Sequence, residues 1–408
     1  MKSMKKIILI FNLFIFSFSN NINAQWVNVS NGLGSENVLS LASNGNNIIA
    51  GTNFSGVYVS TNNGESWIQT SLDSGLVQAV AIDGNTYFAG TRITPGPPYG
   101  SLYISTNNGL SWTQNALNNY TINAIWANGN IIYVGTSANT PTGFFKSINY
   151  GVSWANHINF PVYSLAVNGN TVYAGTGPLY ISTNNGASWT TTNLNNHVIH
   201  GLGLNGNTVF AGTAGAGTYR STNNGANFTL TTLNVNVWAN FAVSGDNIFA
   251  ASKALDPYNG VYVSNNNGLN WTKRNEGLDV DLLISSISIS GNYIFIGSRR
   301  GVHRRPLGEL IGIKTISSEI PSSFSLSQNY PNPFNPATKI IFDLKNSGLV
   351  KFVVFDMFGK EVKTLVNEKL SAGSYLTEFD GSGLTSGVYF YKIEIGDYSE
   401  VKKMILLK

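Results

Sequence analysis

The chain has 408 residues, of which only 11% are charged and 12% are aromatic, with 43 glycines and no cysteine. The lack of cysteine excludes a disulfide framework, and 24 basic against 20 acidic residues, without a basic cluster, argue against a nucleic-acid-binding protein. Such a composition is typical of many short strands joined by turns, in an all-β protein held together by packing alone.

Residues 1–24 have the pattern of a secretory signal peptide. Lys2, Lys5 and Lys6 form a basic start, and an apolar run over 7–18 is too short for a comfortable transmembrane helix. Ala24 is the small residue that signal peptidase requires. We therefore expect Sec-dependent export to the periplasm, a mature chain that begins at Gln25 and is close to neutral, and no transmembrane span in that mature chain.

One octapeptide, STNNGESW at 60–67, dominates the next 250 or so residues, because it returns five times at intervals of 35 to 45 residues. Asparagine and glycine tolerate positive φ, so the phrase predicts a tight turn with bonded Ser and Asn side chains, followed by a buried aromatic residue. We expect a structural role for the residues that recur from box to box: Asn62, Gly64, Trp67, Gly109, Trp112, Gly151, Trp154, Gly186, Trp189, Gly225, Phe228, Gly268 and Trp271.

A second phrase of the type GNTVYAGT occurs seven times between residues 45 and 298. Its Gly-Asn or Gly-Asp pair predicts a type I′ hairpin between two strands. Each repeat then has four strands, and an inner strand that alternates bulky with small residues, except at Trp126, suits the centre of a propeller. Because the phrase occurs seven times but the box only six times, the last repeat lacks its own fourth strand. We expect residues 25–30, around Trp26, to supply it. The sequence thus predicts a seven-bladed β-propeller over residues 25–305.

The repeated octapeptide resembles the Asp-box, or BNR repeat, of sialidases, sortilin-type receptors and photosystem II assembly-factor propellers. That family has S-x-D-x-G-x-x-W, whereas this sequence has Asn at the Asp position in every copy. In the family, the box is a turn between the third and fourth strands of a blade and does not touch substrate. The resemblance implies the same here.

Residues 306–322 lack the periodicity and are predicted to be a linker. Residues 323–408 contain short alternating strands, which predict a small Ig-like β-sandwich. YPNPFNPATKIIFDL, GLTSGVYFYKI and the terminal KKMILLK resemble the type A C-terminal sorting domain of the type IX secretion system. This resemblance implies docking on the outer-membrane translocon and an extracellular or outer cell-surface location, with release and attachment both open. The residues that carry it are Pro331, Pro333, Pro336, Gly387, Tyr389, Lys402 and Lys403.

Propeller geometry places the loops between second and third strands, and those between fourth and first strands, on the face opposite the boxes. Variable loops are where binding residues concentrate, so we expect any ligand, a protein or a glycan, at this loop face. The candidate binding residues are Arg92, Tyr99, Trp126, His200, Tyr258, Arg274, Asp279, Asp281 and Arg299.

A sialidase-like glycoside hydrolase is the alternative function, with Asp279 and Asp281 as its candidate carboxylates. The arginine clamp and the Tyr–Glu pair of sialidases have no convincing counterpart, and a solvated turn is the favoured interpretation of the two aspartates. The four histidines are scattered, and no phosphate-binding loop or nucleophile elbow is present. We therefore expect a non-enzymatic protein without a metal or another cofactor.

Overall fold

The computed structural model describes residues 25–92, 100–137, 142–234, 241–253, 257–310, 312–317 and 319–408. The predicted signal peptide and the candidate residue Tyr99 lie outside these ranges. None of the helices in this part of the chain is both long and apolar enough to cross a bilayer.

Between residues 27 and 306, the described residues form seven four-stranded antiparallel sheets, here called blades 1 to 7. The strands are β1 (Val27–Asn28); β2 (Val38–Asn44), β3 (Asn47–Thr52), β4 (Val57–Ser60) and β5 (Ile68–Gln69) in blade 1; β6 (Val77–Asp83), β7 (Thr86–Thr91), β8 (Ser101–Ser105) and β9 (Thr113–Asn118) in blade 2; β10 (Thr121–Asn128), β11 (Ile131–Ser137), β12 (Phe144–Ser147) and β13 (Ala155–Ile158) in blade 3; β14 (Ser164–Asn168), β15 (Thr171–Gly175), β16 (Leu179–Ser182) and β17 (Thr190–Thr191) in blade 4; β18 (Ile199–Asn205), β19 (Thr208–Thr213), β20 (Thr218–Ser221) and β21 (Thr229–Leu230) in blade 5; β22 (Phe241–Ser244), β23 (Asn247–Ser252), β24 (Gly260–Ser264) and β25 (Thr272–Lys273) in blade 6; and β26 (Ile284–Ser290), β27 (Tyr293–Ser298) and β28 (Gly301–Pro306), which form blade 7 with β1.

The blades form a closed ring. The first strand of each blade contacts the first strand of the next, from β2 through β6, β10, β14, β18 and β22 to β26, and β26 contacts β2 in turn. Blade 7 combines both ends of the repeat region, because Val27 pairs with Arg304 and Asn28 pairs with His303. The predicted all-β propeller is therefore confirmed, and residues near Trp26 supply its last strand as predicted.

The hairpins between first and second strands differ from the predicted turn type. In blade 1, Asn44 pairs with Asn47 across the two-residue turn Gly45-Asn46. Gly45 has a φ of 60°, whereas Asn46 is not among the positive-φ residues. A type I′ turn needs positive φ at both central residues, so this turn has the pattern of type II′, in which glycine takes the first position. All seven glycines of this column, from Gly45 to Gly291, have positive φ.

The C-terminal region forms two further four-stranded sheets. The strands are β29 (Ile313–Ser317), β30 (Ser325–Leu326), β31 (Ala337–Leu344), β32 (Gly348–Phe355), β33 (Glu361–Leu370), β34 (Gly373–Asp380), β35 (Gly387–Ile395) and β36 (Tyr398–Leu406). The sheet orders are β29-β34-β31-β30 and β33-β32-β35-β36. The sheets pack face to face, as shown by Phe342 and Phe352, whose rings lie 5.5 Å apart at right angles.

The predicted linker, residues 306–322, is more ordered than its composition indicated. A short helix, α1 (Leu307–Leu310), follows β28, and β29 pairs with β34 as an edge strand of the C-terminal domain. Leu307, Leu310 and Ile313 are buried in the cluster that also contains core residues of the C-terminal sheets. The sequence missed this strand because it is short and its order depends on pairing with the distant strand β34.

The proline-rich segment before β31 covers the edge strand β36. The backbone N–H of Phe334 donates to Ile405 (2.9 Å), and the Leu407 N–H donates to Phe334 (2.9 Å). The peptide bonds before Pro331, Pro333 and Pro336 are cis.

The other sorting-motif residues lie on β35 and β36. Gly387 pairs with Leu406, and buried Tyr389 donates its hydroxyl to the Thr385 carbonyl (2.8 Å). Lys402 pairs with Glu400 (3.0 Å), whereas Lys403 is exposed.

Candidate functional site

The repeated box is a hydrogen-bonded turn between the third and fourth strands of a blade. In blade 1, the Ser60 hydroxyl donates to Asn62 Oδ1 (2.9 Å) and accepts from the Gly64 N–H (2.9 Å). Asn62 Oδ1 also accepts from the Ser66 N–H (3.0 Å). Asn63 and Gly64 have φ values of 56° and 76°, which asparagine and glycine tolerate best. The same Ser–Asn–Gly bonds recur in all six boxes.

The asparagine gives the box a donor that an aspartate would lack. Asn62 Nδ2 donates to the Ser66 hydroxyl (3.0 Å), and Asn184 does the same with Ser188 (2.9 Å). This bond occurs in the first four boxes, where serine precedes the tryptophan. The box is therefore internally satisfied, and its polar groups have a structural use.

The box aromatic residues pack between neighbouring blades. Trp67 is 3% exposed and Phe228 is 5% exposed, whereas the other four box tryptophans are partly buried. The indole N–H of Trp67 donates to the Val29 carbonyl (2.7 Å) beside the closing strand. The box also has no room for a side chain at its glycine, since a Cβ at Gly64 would lie 2.9 Å from the Phe295 ring of blade 7. These contacts agree with a structural role for the boxes.

A cavity of about 480 Å³ opens at the opposite end of the ring axis. Its lining comes from the beginnings of the first strands, represented by Gln78, Asn123 and His200, and from residues that follow second strands, such as Arg92 and Lys253. The start of a first strand and the end of a second strand lie at the same edge of a blade. The cavity therefore lies at the loop face, which is where we expected a ligand from the sequence.

The cavity is polar and carries positive charge. Arg92 and Lys253 both line it, and none of its described lining residues is an aspartate or glutamate. Removal from solvent lowers the pKa of Lys253 and also lowers the pKa of His200, whose ring lies 5.2 Å from that of Tyr163. The cavity can thus attract an anion at neutral pH without relying on protonated His200.

Of the predicted binding residues that the structure describes, Arg92 and His200 line this cavity and the others do not. Trp126 lies outside it and stacks on Tyr133, with ring centroids 5.2 Å apart. This large residue, at a position of the inner strand where small residues were expected, packs in the cluster between blades 3 and 4. Tyr258 is 57% exposed, and Arg299 is exposed as well. Arg274 is partly buried, and its carbonyl accepts from the indole N–H of Trp26 (2.8 Å).

The two candidate carboxylates are bound to one arginine. Asp279 Oδ2 contacts Arg300 Nη1, and Asp281 Oδ2 lies 2.9 Å from Arg300 Nη2. Nearby, the nearly buried Arg305 pairs with Glu276 at 2.7 Å. Burial alone would raise the pKa of Glu276, but the hydrogen bond and charge of Arg305 outweigh it and lower that pKa. These acids serve ion pairs on blade 7.

Sequence reasoning missed Lys253. The signal was available, because Lys253 directly follows the phrase GDNIFAAS just as Arg92 follows GNTYFAGT and Arg299 follows GNYIFIGS. Residues in this column end a second strand and face the loop side. Reading the column across all seven repeats would have selected Lys253 together with Arg92.

Among the described residues, no group of three or more His, Cys, Asp or Glu side chains is placed to hold a metal ion.

Comparison with known proteins supports both domains. Residues 328–407 match the family model described as the secretion system C-terminal sorting domain. A comparison with curated protein sequences gave no significant match.

Among solved structures, the chain is similar to YCF48 from Cyanidioschyzon merolae, with a TM-score of 0.54 and 13% identity over 69% of this chain and 98% of that one. It is also similar to YCF48 bound to D1 peptide, with a TM-score of 0.51 and 14% identity over 69% and 96% of the chains. The GH74 enzyme of Niastella koreensis gives a TM-score of 0.56 and 17% identity, over 86% of this chain but 62% of that one. At such identities these likenesses establish the propeller fold alone. The chain is thus a β-propeller followed by a type IX secretion sorting domain.

Proposed function

We propose that this protein is a non-enzymatic propeller at the cell surface or outside the cell, and that it binds a protein or a glycan through the cavity at its loop face. The observation that carries the proposal is that cavity of about 480 Å³, within the ~300–1,000 Å³ range of ligand sites. The box face, by contrast, uses its polar groups within its own turns.

The location rests on the C-terminal domain. The sorting domain indicates export to the cell surface or the extracellular space. Passage through the Sec pathway, docking of this domain on the outer-membrane translocon and removal of residues 1–24 are the parts that we propose from the sequence. Deletion of the C-terminal domain tests the docking step, and the N-terminal sequence of the exported protein tests the removal of residues 1–24.

A binding function without catalysis agrees with the positions of the acids. Glycoside hydrolases generally use two carboxyl groups that flank the scissile bond. Asp279 and Asp281 instead share the guanidinium of Arg300, and the described lining of the cavity contains no carboxylate. A hydrolase of this architecture would have to free both aspartates from Arg300 before either acted.

A neighbouring fold offers a precedent for binding, since one of the similar structures is described as YCF48 bound to D1 peptide. Neither that likeness nor the likeness to GH74 enzymes assigns a ligand to this chain, because the identities are 14% and 17%.

Obstruction of the cavity is the direct test. Gln78 is an exposed side chain on the cavity lining, so Gln78→Trp should narrow the cavity without disturbing the core. Ala187→Trp is the matched control, because Ala187 is exposed within a box turn on the opposite face. Binding of the full chain to glycan and peptide arrays should be lost in Gln78→Trp and retained in Ala187→Trp.

Binding that persists in Gln78→Trp, or that disappears in Ala187→Trp, would show that the binding site lies outside the cavity. Turnover of fluorogenic glycosides that is lost in Asp279→Asn or Asp281→Asn would establish the hydrolase instead.

A further inference from the structure

We infer that the cavity at the loop face takes an acidic carbohydrate, a sugar that carries carboxylate or sulfate groups. This inference rests on the proposed binding function and specifies the chemistry of its ligand. It follows from the placement of two cationic side chains, from the positions of the neighbouring acids and from the unengaged amides of the lining.

The two cations come from different parts of the ring. Arg92 follows β7 in blade 2 and Lys253 follows β23 in blade 6, and both line the same cavity. Blades 3, 4 and 5 lie between them along the chain, so they approach the cavity from different sides. Neither side chain has an ion pair with a described acidic residue. Because both cations line one cavity, an anion within it is attracted by the field of both.

Three described acids that are close in sequence to the lining residues bond to other groups of the protein. Glu36 adjoins the lining residue Asn37, but its carboxylate accepts a hydrogen bond from the Ser55 hydroxyl (2.9 Å). Asp279 and Asp281 are held by Arg300. A cleft lined by one sign of charge focuses the field and raises the local concentration of counter-charged ligands. The described part of the cavity has this arrangement.

The remaining polar groups favour a sugar over a peptide. The amides of Asn37, Asn53 and Gln78 line the cavity, and no hydrogen bond joins these side chains to the rest of the described protein. Each amide offers two donors and an acceptor, which suits the paired donor and acceptor character of sugar hydroxyls. The surface exposed in the cavity is mostly polar, which suits sugar hydroxyls better than the apolar side chains that usually anchor a peptide.

Two lining groups are already fixed by the protein and can orient a ligand. The Asn123 amide donates to the Val162 carbonyl (2.9 Å) and accepts from the Ser137 hydroxyl (3.4 Å). Tyr163 lies against His200, with ring centroids 5.2 Å apart. These groups line the same cavity as the exposed side chains of Arg92 and Lys253.

The test uses charge-matched ligands and charge-matched variants of the full chain. Trigalacturonate and its methyl ester have the same ring hydroxyls but differ in charge, a heparin-derived tetrasaccharide supplies sulfate, and hexaglutamate supplies carboxylates without a sugar. Affinities are measured by titration calorimetry for the wild type, the double variant Arg92→Gln/Lys253→Gln, and the control Lys351→Gln. Lys351 is exposed on the C-terminal domain, far in sequence from the cavity residues.

We expect at least one acidic sugar to bind the wild type about tenfold more tightly than the ester, and the double variant to lose about tenfold in affinity, because charge-assisted hydrogen bonds are lost. Lys351→Gln should bind like the wild type. Raising the ionic strength from about 0.05 M to about 0.3 M should weaken binding, since exposed charges are screened.

Equal affinity for the acid and the ester, binding of hexaglutamate alone, or an unaltered double variant would overturn the inference. The proposed function fails in a different way. If a neutral glycan binds and Gln78→Trp abolishes that binding, the cavity is the site and only the acidic preference is wrong. If no sugar or peptide binds, the binding function itself is wrong.

Discussion

Replacement of Trp26 by alanine should strongly destabilise the propeller, because this side chain anchors the strand that closes the ring. Trp26 is 2% exposed, and its indole N–H donates to the Arg274 carbonyl of blade 6 (2.8 Å). Its backbone N–H donates to Glu276 (2.8 Å). Beyond it, Val27 and Asn28 pair with β28 and the Val29 N–H donates to the Val302 carbonyl (2.8 Å), so Trp26 adds a buried side chain to a strand of only two residues.

Truncation of a buried tryptophan to alanine costs about 3–5 kcal/mol through lost transfer energy and the cavity that it leaves. The unpaired Arg274 carbonyl adds roughly 1 kcal/mol. We therefore expect Trp26→Ala to lower the free energy of unfolding of the propeller by about 4–6 kcal/mol. The measurement is urea denaturation of the full chain, followed by tryptophan fluorescence and by far-UV circular dichroism.

Two further variants separate the contributions. Trp26→Phe keeps most of the apolar volume and removes the N–H donor, so its expected cost is about 1–2 kcal/mol. Trp189→Ala removes a partly buried ring that bonds to its own box at Gly186, and its cost should fall towards the lower end of about 3–5 kcal/mol. A loss below about 1 kcal/mol in Trp26→Ala would refute the idea that this residue fastens the ring.

The other predictions concern the box, the pH dependence and export. Asn62→Ala should cost roughly 1–3 kcal/mol in urea denaturation because the Ser66 N–H and Ser60 hydroxyl lose their acceptor, whereas Asn62→Asp keeps the acceptor and should cost less; equal losses would contradict this account. Burial holds the pKa of His303 below its usual 6.5, while Asp279 raises that pKa and Arg300 lowers it. As the pH drops through 6.5, the unfolded chain therefore takes up the proton before the folded protein does, and the free energy of unfolding should fall. Urea titrations at several pH values should show this fall in the wild type and a smaller one in His303→Gln. Deletion from residue 323 should leave the propeller folded by circular dichroism but keep it inside the outer membrane in cell fractionation; its appearance outside would contradict the sorting role.

The sequence predicted the features that depend on local repetition. The box turn, with Asn63 and Gly64 at positive φ, follows from the tolerance of these residue types, and six copies made it visible. The position of Trp26 in the last blade followed from the unequal numbers of the two phrases. The C-terminal sorting domain followed from its motifs and matches a family model.

What the sequence could not predict depends on contacts between distant residues. Nothing local indicates that Arg300 binds both Asp279 and Asp281, or that Trp126 packs against Tyr133 rather than facing a ligand. The strand β29 was missed because its order comes from pairing with β34, about 60 residues later in the chain. Lys253 was missed for a different reason. The residue that follows the second phrase can be read directly from the sequence, but it was not compared across the repeats.

The composite blade 7 also determines when this domain can be finished. Asn28 meets His303 across a sequence separation of 275 residues, so the first strand of the ring cannot pair until nearly the last part of the ring is present. Contacts of such long range slow folding, because the entropy of loop closure is spent before they form. A nascent chain that lacks β28 would therefore carry an open array of sheets with two unpaired borders, which stay exposed to unwanted strand pairing until residue 306 has been added.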